Sequence, residues 1–129
     1  MKKHLIVVPR WGGTPHHDWY PWLSGVLAEQ NLFESVHIAE MPNPGAPTIA
    51  GWRDALLKII EVHSQHLNDV VLVGHSVGCQ AVLHALQALP DGQQMGAVFV
   101  LRGGGMLIMS GRQLSRGLHT NMTTRKLNR

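Results

Sequence analysis

A parallel β-sheet with helices on both faces, an α/β architecture of three layers, follows from three observations. Short apolar runs at residues 5–8, 70–73 and 96–101 read as strands buried on both sides, because a half-exposed strand would alternate apolar with polar residues. Segments with helical spacing of apolar residues separate them, so the two element types alternate along the chain. The 129 residues, 44% of them apolar, suffice for one core and not for two.

Each element has its own signal. Leu5-Ile6-Val7-Val8 is the first strand and stops at Pro9, and a Gly/Pro/His loop runs to Asp18. Trp22, Val26 and Leu27 lie at helical spacing and predict a helix from about Trp19 to Gln30. Residues 35–39 form the second strand. Three prolines and a glycine between Met41 and Pro47 exclude regular structure there. Thr48 suits the N-cap of a helix whose apolar face is Ile49, Trp52, Leu56, Ile59, Ile60, Val62 and His63. Residues 70–73 are the third strand, Ala81 to Leu89 a helix closed by Pro90-Asp91-Gly92, and residues 96–101 the fourth strand. Right-handed crossovers and one reversal give the spatial order 2-1-3-4. The ligand crevice of such a sheet lies at the carboxyl ends of the strands where the order reverses. Here that point brings the loop from Pro9 to Asp18 beside the turn after Val73.

That turn reads Gly74-His75-Ser76-Val77-Gly78, a G-x-S-x-G pattern between an apolar strand and a helix, the setting of a nucleophile elbow. A sharp bend would raise the Ser76 hydroxyl above the sheet, with flanking glycines letting strand and helix backbones approach. The Val77 amide, at the helix N-terminus, would then face a developing oxyanion. A second donor belongs on the loop after the first strand, where Trp11 or Gly12 could supply an amide; Trp11 is the choice. A glycine-rich turn that binds phosphate or only packs tightly is the alternative reading of the motif.

Three blocks carry a family resemblance: Asp18-Trp19-Tyr20-Pro21-Trp22-Leu23, then Met41-Pro42-Asn43-Pro44 followed by Trp52, and residues 72–79 around Ser76. Over about residues 4–101 the chain resembles the small single-domain serine hydrolases of the retinoblastoma-binding-protein-nine and YdeN type, within the α/β-hydrolase superfamily. The resemblance implies a Ser-His-Asp hydrolase of small esters or amides that uses no metal and no organic cofactor. It also implies that Trp19, Trp22 and Trp52 pack rather than touch substrate. Pro9-Arg10 stands where such hydrolases often carry His-Gly, a departure inside the oxyanion loop. The Leu-x-Cys-x-Glu pattern for the retinoblastoma pocket is absent, so that association is not implied.

The remaining triad members do not follow in the family's order. They belong on loops after later strands, yet no Asp or Glu comes after Asp91 and one histidine, His119, does. A domain of usual size would continue for roughly another 50–80 residues, so a truncated α/β-hydrolase fold is expected. On the correct side of the sheet, His16 or His17 with Glu40 offers an improvised base; His119 without a carboxylate is another; Asp18 and Asn43 lie on the same loops. Asp69 and Asp91 belong to the amino ends of strands. His63, His66 and His84 read as helix surface or helix-end residues, and His75 as a packing residue.

Charge divides the chain. Residues 1–101 hold five Lys/Arg and all eight acids, a net −3, whereas residues 102–129 hold six Lys/Arg, no acid, and no Pro, Trp, Phe or Tyr. The expected organisation is therefore a hydrolase part, 1–101, and a basic atypical tail, 102–129. Three accounts fit the tail. Replacement of the second half by truncation or a shifted frame would leave strand four a bare edge, favouring self-association. A catalytically inactive hydrolase fold kept as a binding module could pack residues 106–109 on the sheet. A nucleic-acid- or membrane-binding arm would use the six cations, which are dispersed, lack stacking aromatics and form no clear amphipathic basic face. One cysteine, Cys79, excludes an intrachain disulfide framework and zinc-type cysteine spacing. The N-terminal apolar run is too short for a signal peptide, and nothing approaches a membrane span of about 18–20 apolar residues. A soluble, cytoplasmic protein is expected.

Overall fold

The computed structural model describes residues 3–102 and 105–110. In chain order its elements are β1 (Lys3–Val8), α1 (Tyr20–Gln30), β2 (Phe33–Ile38), α2 (Ile49–Glu61), β3 (Val70–His75), α3 (Gly78–Ala88), β4 (Ala97–Arg102) and β5 (Gly105–Ser110). The sheet order is β2-β1-β3-β4-β5. β1 to β4 are parallel in the expected order 2-1-3-4, and β5 is added antiparallel to β4.

Strand alternation builds the three layers. From β1, Ile6 and Val8 point to the α2/α3 side while Leu5 and Val7 point to the α1 side. Leu72, Val98 and Val100 join the first set, around Trp52, Leu56, Ile60, Val82 and Ala85. Each such fully buried aliphatic side chain contributes about 1.5–3 kcal/mol. The opposite face is more thinly covered: Leu5, Val7, Val71 and Tyr20 are buried, while Leu23, Leu27, Val73 and Phe99 are half-buried.

Three expectations are corrected. Strand four is not a sheet edge, because β5 pairs along it from Ala97↔Ser110 to Arg102↔Gly105; β5 and β2 are the outer strands of the described sheet. Trp22 does not pack, being 67% exposed. The face that α1 turns to the sheet is Tyr20, Leu23 and Leu27, and a residue two positions after Tyr20 lies well around the helix from that line. α3 begins at Gly78 rather than Ala81, directly from the turn. His119 and residues 111–129 lie outside the described residues.

The topology aligns two strand ends. Val8 pairs with Gly74 and His75 with Leu101, so the β1–α1 loop and the β3–α3 turn leave the sheet side by side.

Candidate active site

Between β3 and α3 the chain turns on Ser76, whose φ of 55° lies in the left-handed region. A non-glycine residue there costs about 1–2 kcal/mol, so surrounding contacts must hold it. They are visible. The Ser76 amide donates to Leu101 O at 2.8 Å, and Ser76 O accepts from the Cys79 amide at 3.0 Å. A Cβ on Gly78 would lie 2.4 Å from Val8 O and 2.6 Å from Pro9 O; one on Gly74 would lie 2.9 Å from Cys79 Cα. Both glycines are therefore demanded by backbone packing, Gly78 by the end of β1 and Gly74 by the start of α3. Ser76 is exposed at the top of the bend.

Val77 is the N-cap of α3 and no side chain caps this helix. Its amide takes no part in the hydrogen bonds of the turn, which use the amides of Ser76, Cys79 and Gln80. An uncapped N-terminus presents unpaired N–H groups and the positive end of the helix dipole. Cys79 is no competing nucleophile. Burial pushes its thiol up, and Sγ donates to Gly74 O at 3.3 Å and Leu101 O at 3.4 Å.

The β1–α1 loop is fixed by polar contacts instead. The Arg10 amide donates to Tyr20 Oη at 2.9 Å, the Gly13 amide to Arg10 O at 3.0 Å and the Gly12 amide to Pro44 O at 2.6 Å. Gly12, the alternative oxyanion donor, thus has its N–H committed to the β2–α2 loop. Among the amides from residue 10 to 13, that of Trp11 alone has no partner among the described residues. The exposed Trp11 ring donates from Nε1 to Gly45 O at 3.1 Å, and buried Trp52 donates to Pro42 O at 2.8 Å. These bonds fasten the proline-rich loop to the site. The Trp19 ring packs beside Tyr20 and His75, with centroids 4.6 and 5.2 Å away.

Arg10, the departure from His-Gly, is tied down by both oxygens of Asp18 and donates from Nη1 to Trp11 O at 2.8 Å. The Arg10 guanidinium beside Asp18 holds that carboxyl below the usual carboxylate range.

His75 is more than a packing residue. Its Nδ1 lies 2.7 Å from Tyr20 Oη. Tyr20 Oη accepts the Arg10 amide and retains both a proton and a lone pair for the contact with Nδ1. Burial pushes His75 down and the Tyr20 hydroxyl up. The link through Tyr20 is the part that sequence reasoning passed over; the tyrosine sits inside the Asp18–Leu23 block, but its partner is 55 positions away.

The improvised bases are not assembled. His16 and His17 are exposed and make no hydrogen bond or ion pair with Glu40; His17 Nδ1 accepts from the Thr14 amide at 3.1 Å. Glu40 lines a shallow depression with Met41, Pro42, Asp54 and Lys58, and Asn43 O accepts from the Ala46 amide in a turn. Asp69 and Asp91 precede β3 and β4, at the amino ends of those strands. No described side chain hydrogen-bonds Ser76. Among the described residues no group of three or more His, Cys, Asp or Glu could hold a metal ion, and no helix is long and apolar enough to cross a membrane.

Comparison with known proteins gives a family and a fold relative. Residues 5–105 match the family model described as serine hydrolase. The chain is 31% identical over 103 residues to YdeN of Bacillus subtilis (strain 168), covering 80% of this chain and 52% of that protein. The crystal structure of the ydeN gene product superposes with a TM-score of 0.65 at 27% identity, covering 76% of this chain and 50% of that one. The chain thus spans about half the length of the relatives it matches.

Proposed function

Because the chain belongs to the serine hydrolase family, we propose that Ser76 is its nucleophile, in acyl transfer from a small ester or amide to water. The observation that carries this reading is the exposed serine at φ 55°, between two glycines that leave no room for a Cβ. On this reading the bend is a nucleophile elbow. Ser76 Oγ bonds to the acyl carbon while its proton passes to a base, the alcohol or amine departs protonated, and water then releases the acid from the acyl-enzyme. The amides of Val77 and Trp11 stabilise the oxyanion.

The proton is the weak point. No described imidazole reaches Ser76 Oγ, and the sequence has no acid after Asp91. Loss of the partners of a triad serine costs about 10⁴–10⁶ in rate, leaving roughly 10³–10⁴ over water from the oxyanion site and binding. A serine with no base engaged is a slow nucleophile. The absence of such a partner among the described residues favours a second reading, a hydrolase fold kept as a binding module.

A fluorophosphonate probe separates the two. Slow covalent labelling of the full chain, abolished by Ser76→Ala, is the expected result. Absence of labelling, or labelling that survives Ser76→Ala, would overturn the proposal in favour of the binding module.

A further inference from the structure

We propose that Tyr20 is a positioning residue whose hydroxyl sets the spacing between the two oxyanion-binding amides, by joining the Arg10 amide to the His75 ring. This rests on the reading of Ser76 as nucleophile and goes beyond it.

Three successive peptide planes define the loop. The plane between residues 9 and 10 is held by Arg10 N–H on Tyr20 Oη, 2.9 Å. The plane between 10 and 11 is held through Arg10 O, which accepts the Gly13 amide at 3.0 Å. In a trans peptide the N–H points opposite to the C=O, so turning Arg10 O toward Gly13 turns the Trp11 N–H away from it. The plane between 11 and 12 is held at both ends, Trp11 O by Arg10 Nη1 at 2.8 Å and Gly12 N–H by Pro44 O at 2.6 Å. The middle plane keeps one N–H uncommitted, and the planes on either side fix its direction.

The first of these planes is also the one joined to the elbow. Tyr20 is fully buried, and the same oxygen that takes the Arg10 amide meets His75 Nδ1 at 2.7 Å. His75 is the residue before Ser76, whose amide is fixed to Leu101 O. One buried oxygen thus bridges the loop carrying the Trp11 amide and the turn carrying the Val77 amide. Backbone packing of Gly78 against Val8 O and Pro9 O brings the two segments together, and Tyr20 holds the other side of the peptide after Pro9 through the Arg10 N–H. Asp18 acts one step further out, by holding the Arg10 guanidinium that reaches Trp11 O.

The test is the kinetics of fluorophosphonate labelling of the full chain, resolved into reversible probe affinity and the bond-forming rate constant, with the ³¹P shift of the adduct. Rates are normalised to the folded fraction from circular dichroism. Tyr20→Phe should lower the bond-forming constant at least about tenfold, with unchanged probe affinity and a moved ³¹P resonance. Asp18→Asn, an exposed change that leaves Tyr20 in place, should lower the same constant by a smaller factor. A merely structural role would change the folded fraction and leave the normalised constant and the ³¹P shift as in the wild type; that result, or an effect on affinity alone, overturns the proposal while the reading of Ser76 stands. Absence of Ser76-dependent labelling in the wild type removes both.

Discussion

The N-termini of α2 and α3 are built in opposite ways. At α2, Thr48 is extended, with φ −116° and ψ 150°, and its hydroxyl accepts the Gly51 amide at 3.0 Å. At α3 the N-cap is Val77, in helical conformation with no side-chain acceptor, and the preceding Ser76 carries the positive φ. At α2 a side-chain hydroxyl accepts an N-terminal N–H. At α3 backbone carbonyls alone do so, for Cys79 and Gln80, and the Val77 amide, beside an exposed hydroxyl, has no partner among the described residues. A helix that only had to pack would gain about 1 kcal/mol from a cap and would avoid the left-handed residue. On the proposed reading, the α3 end is shaped for a ligand rather than for stability.

The largest effect on this contrast should come from Gly78→Ala. Its Cβ would meet two carbonyl oxygens of the β1 end, which are backbone and cannot swing aside. A loss of about 2–3 kcal/mol by urea denaturation is expected, together with loss of probe labelling, since the β3–α3 turn and the β1–α1 loop must separate. Stability within about 0.5 kcal/mol of wild type would show that the contact is not tight.

Thr48→Ala should cost about 1 kcal/mol by removing the α2 cap and leave the labelling rate per folded molecule unchanged. A change in that rate would couple the two termini. Ser76→Gly should do the reverse. Glycine relieves the positive φ, so denaturation should show a gain of about 1 kcal/mol while labelling disappears. A destabilised Ser76→Gly would mean that the bend is not strained.

The smallest effect is on pH dependence. Burial lowers the His75 pKa below its ordinary value of 6.5, so the unfolded chain takes up that proton first. Stability should therefore decline as pH falls through and below about 6.5. His63, lowered by burial and by His4 and His37, acts in the same direction. The decline should be shallower in His75→Gln, measured by thermal melts between pH 5 and 8 (a window around about 6.5); an unchanged slope would remove His75 from the titration.

How far the sequence carries is seen in which of these parts it predicts. The four parallel strands and their order follow from wholly apolar runs, a local signal that burial on both faces enforces. The G-x-S-x-G turn is equally local. β5 carries the same wholly apolar signal in residues 106–109, but the change of composition after residue 101 assigns it to the basic tail, and its antiparallel pairing with β4 is visible only in the fold. The Trp22 expectation fails for a related reason: helical spacing names a face, but the sheet selected the line through Tyr20 instead. The Tyr20–His75 contact and the Gly12–Pro44 hydrogen bond join loops distant in the chain, and only the folded topology brings them together. Of the proposed site, then, the G-x-S-x-G turn is legible in the sequence, whereas the polar contacts around the Trp11 amide are not.

Trapping the acyl-enzyme tests the central claim most directly. The full chain is incubated with an activated aryl ester, quenched in acid and mapped by peptide mass spectrometry. One acyl group on the peptide containing Ser76, missing from Ser76→Ala, is the expected result. An acyl group confined to lysines or histidines, or an unmodified chain, would contradict the assignment of Ser76 as nucleophile.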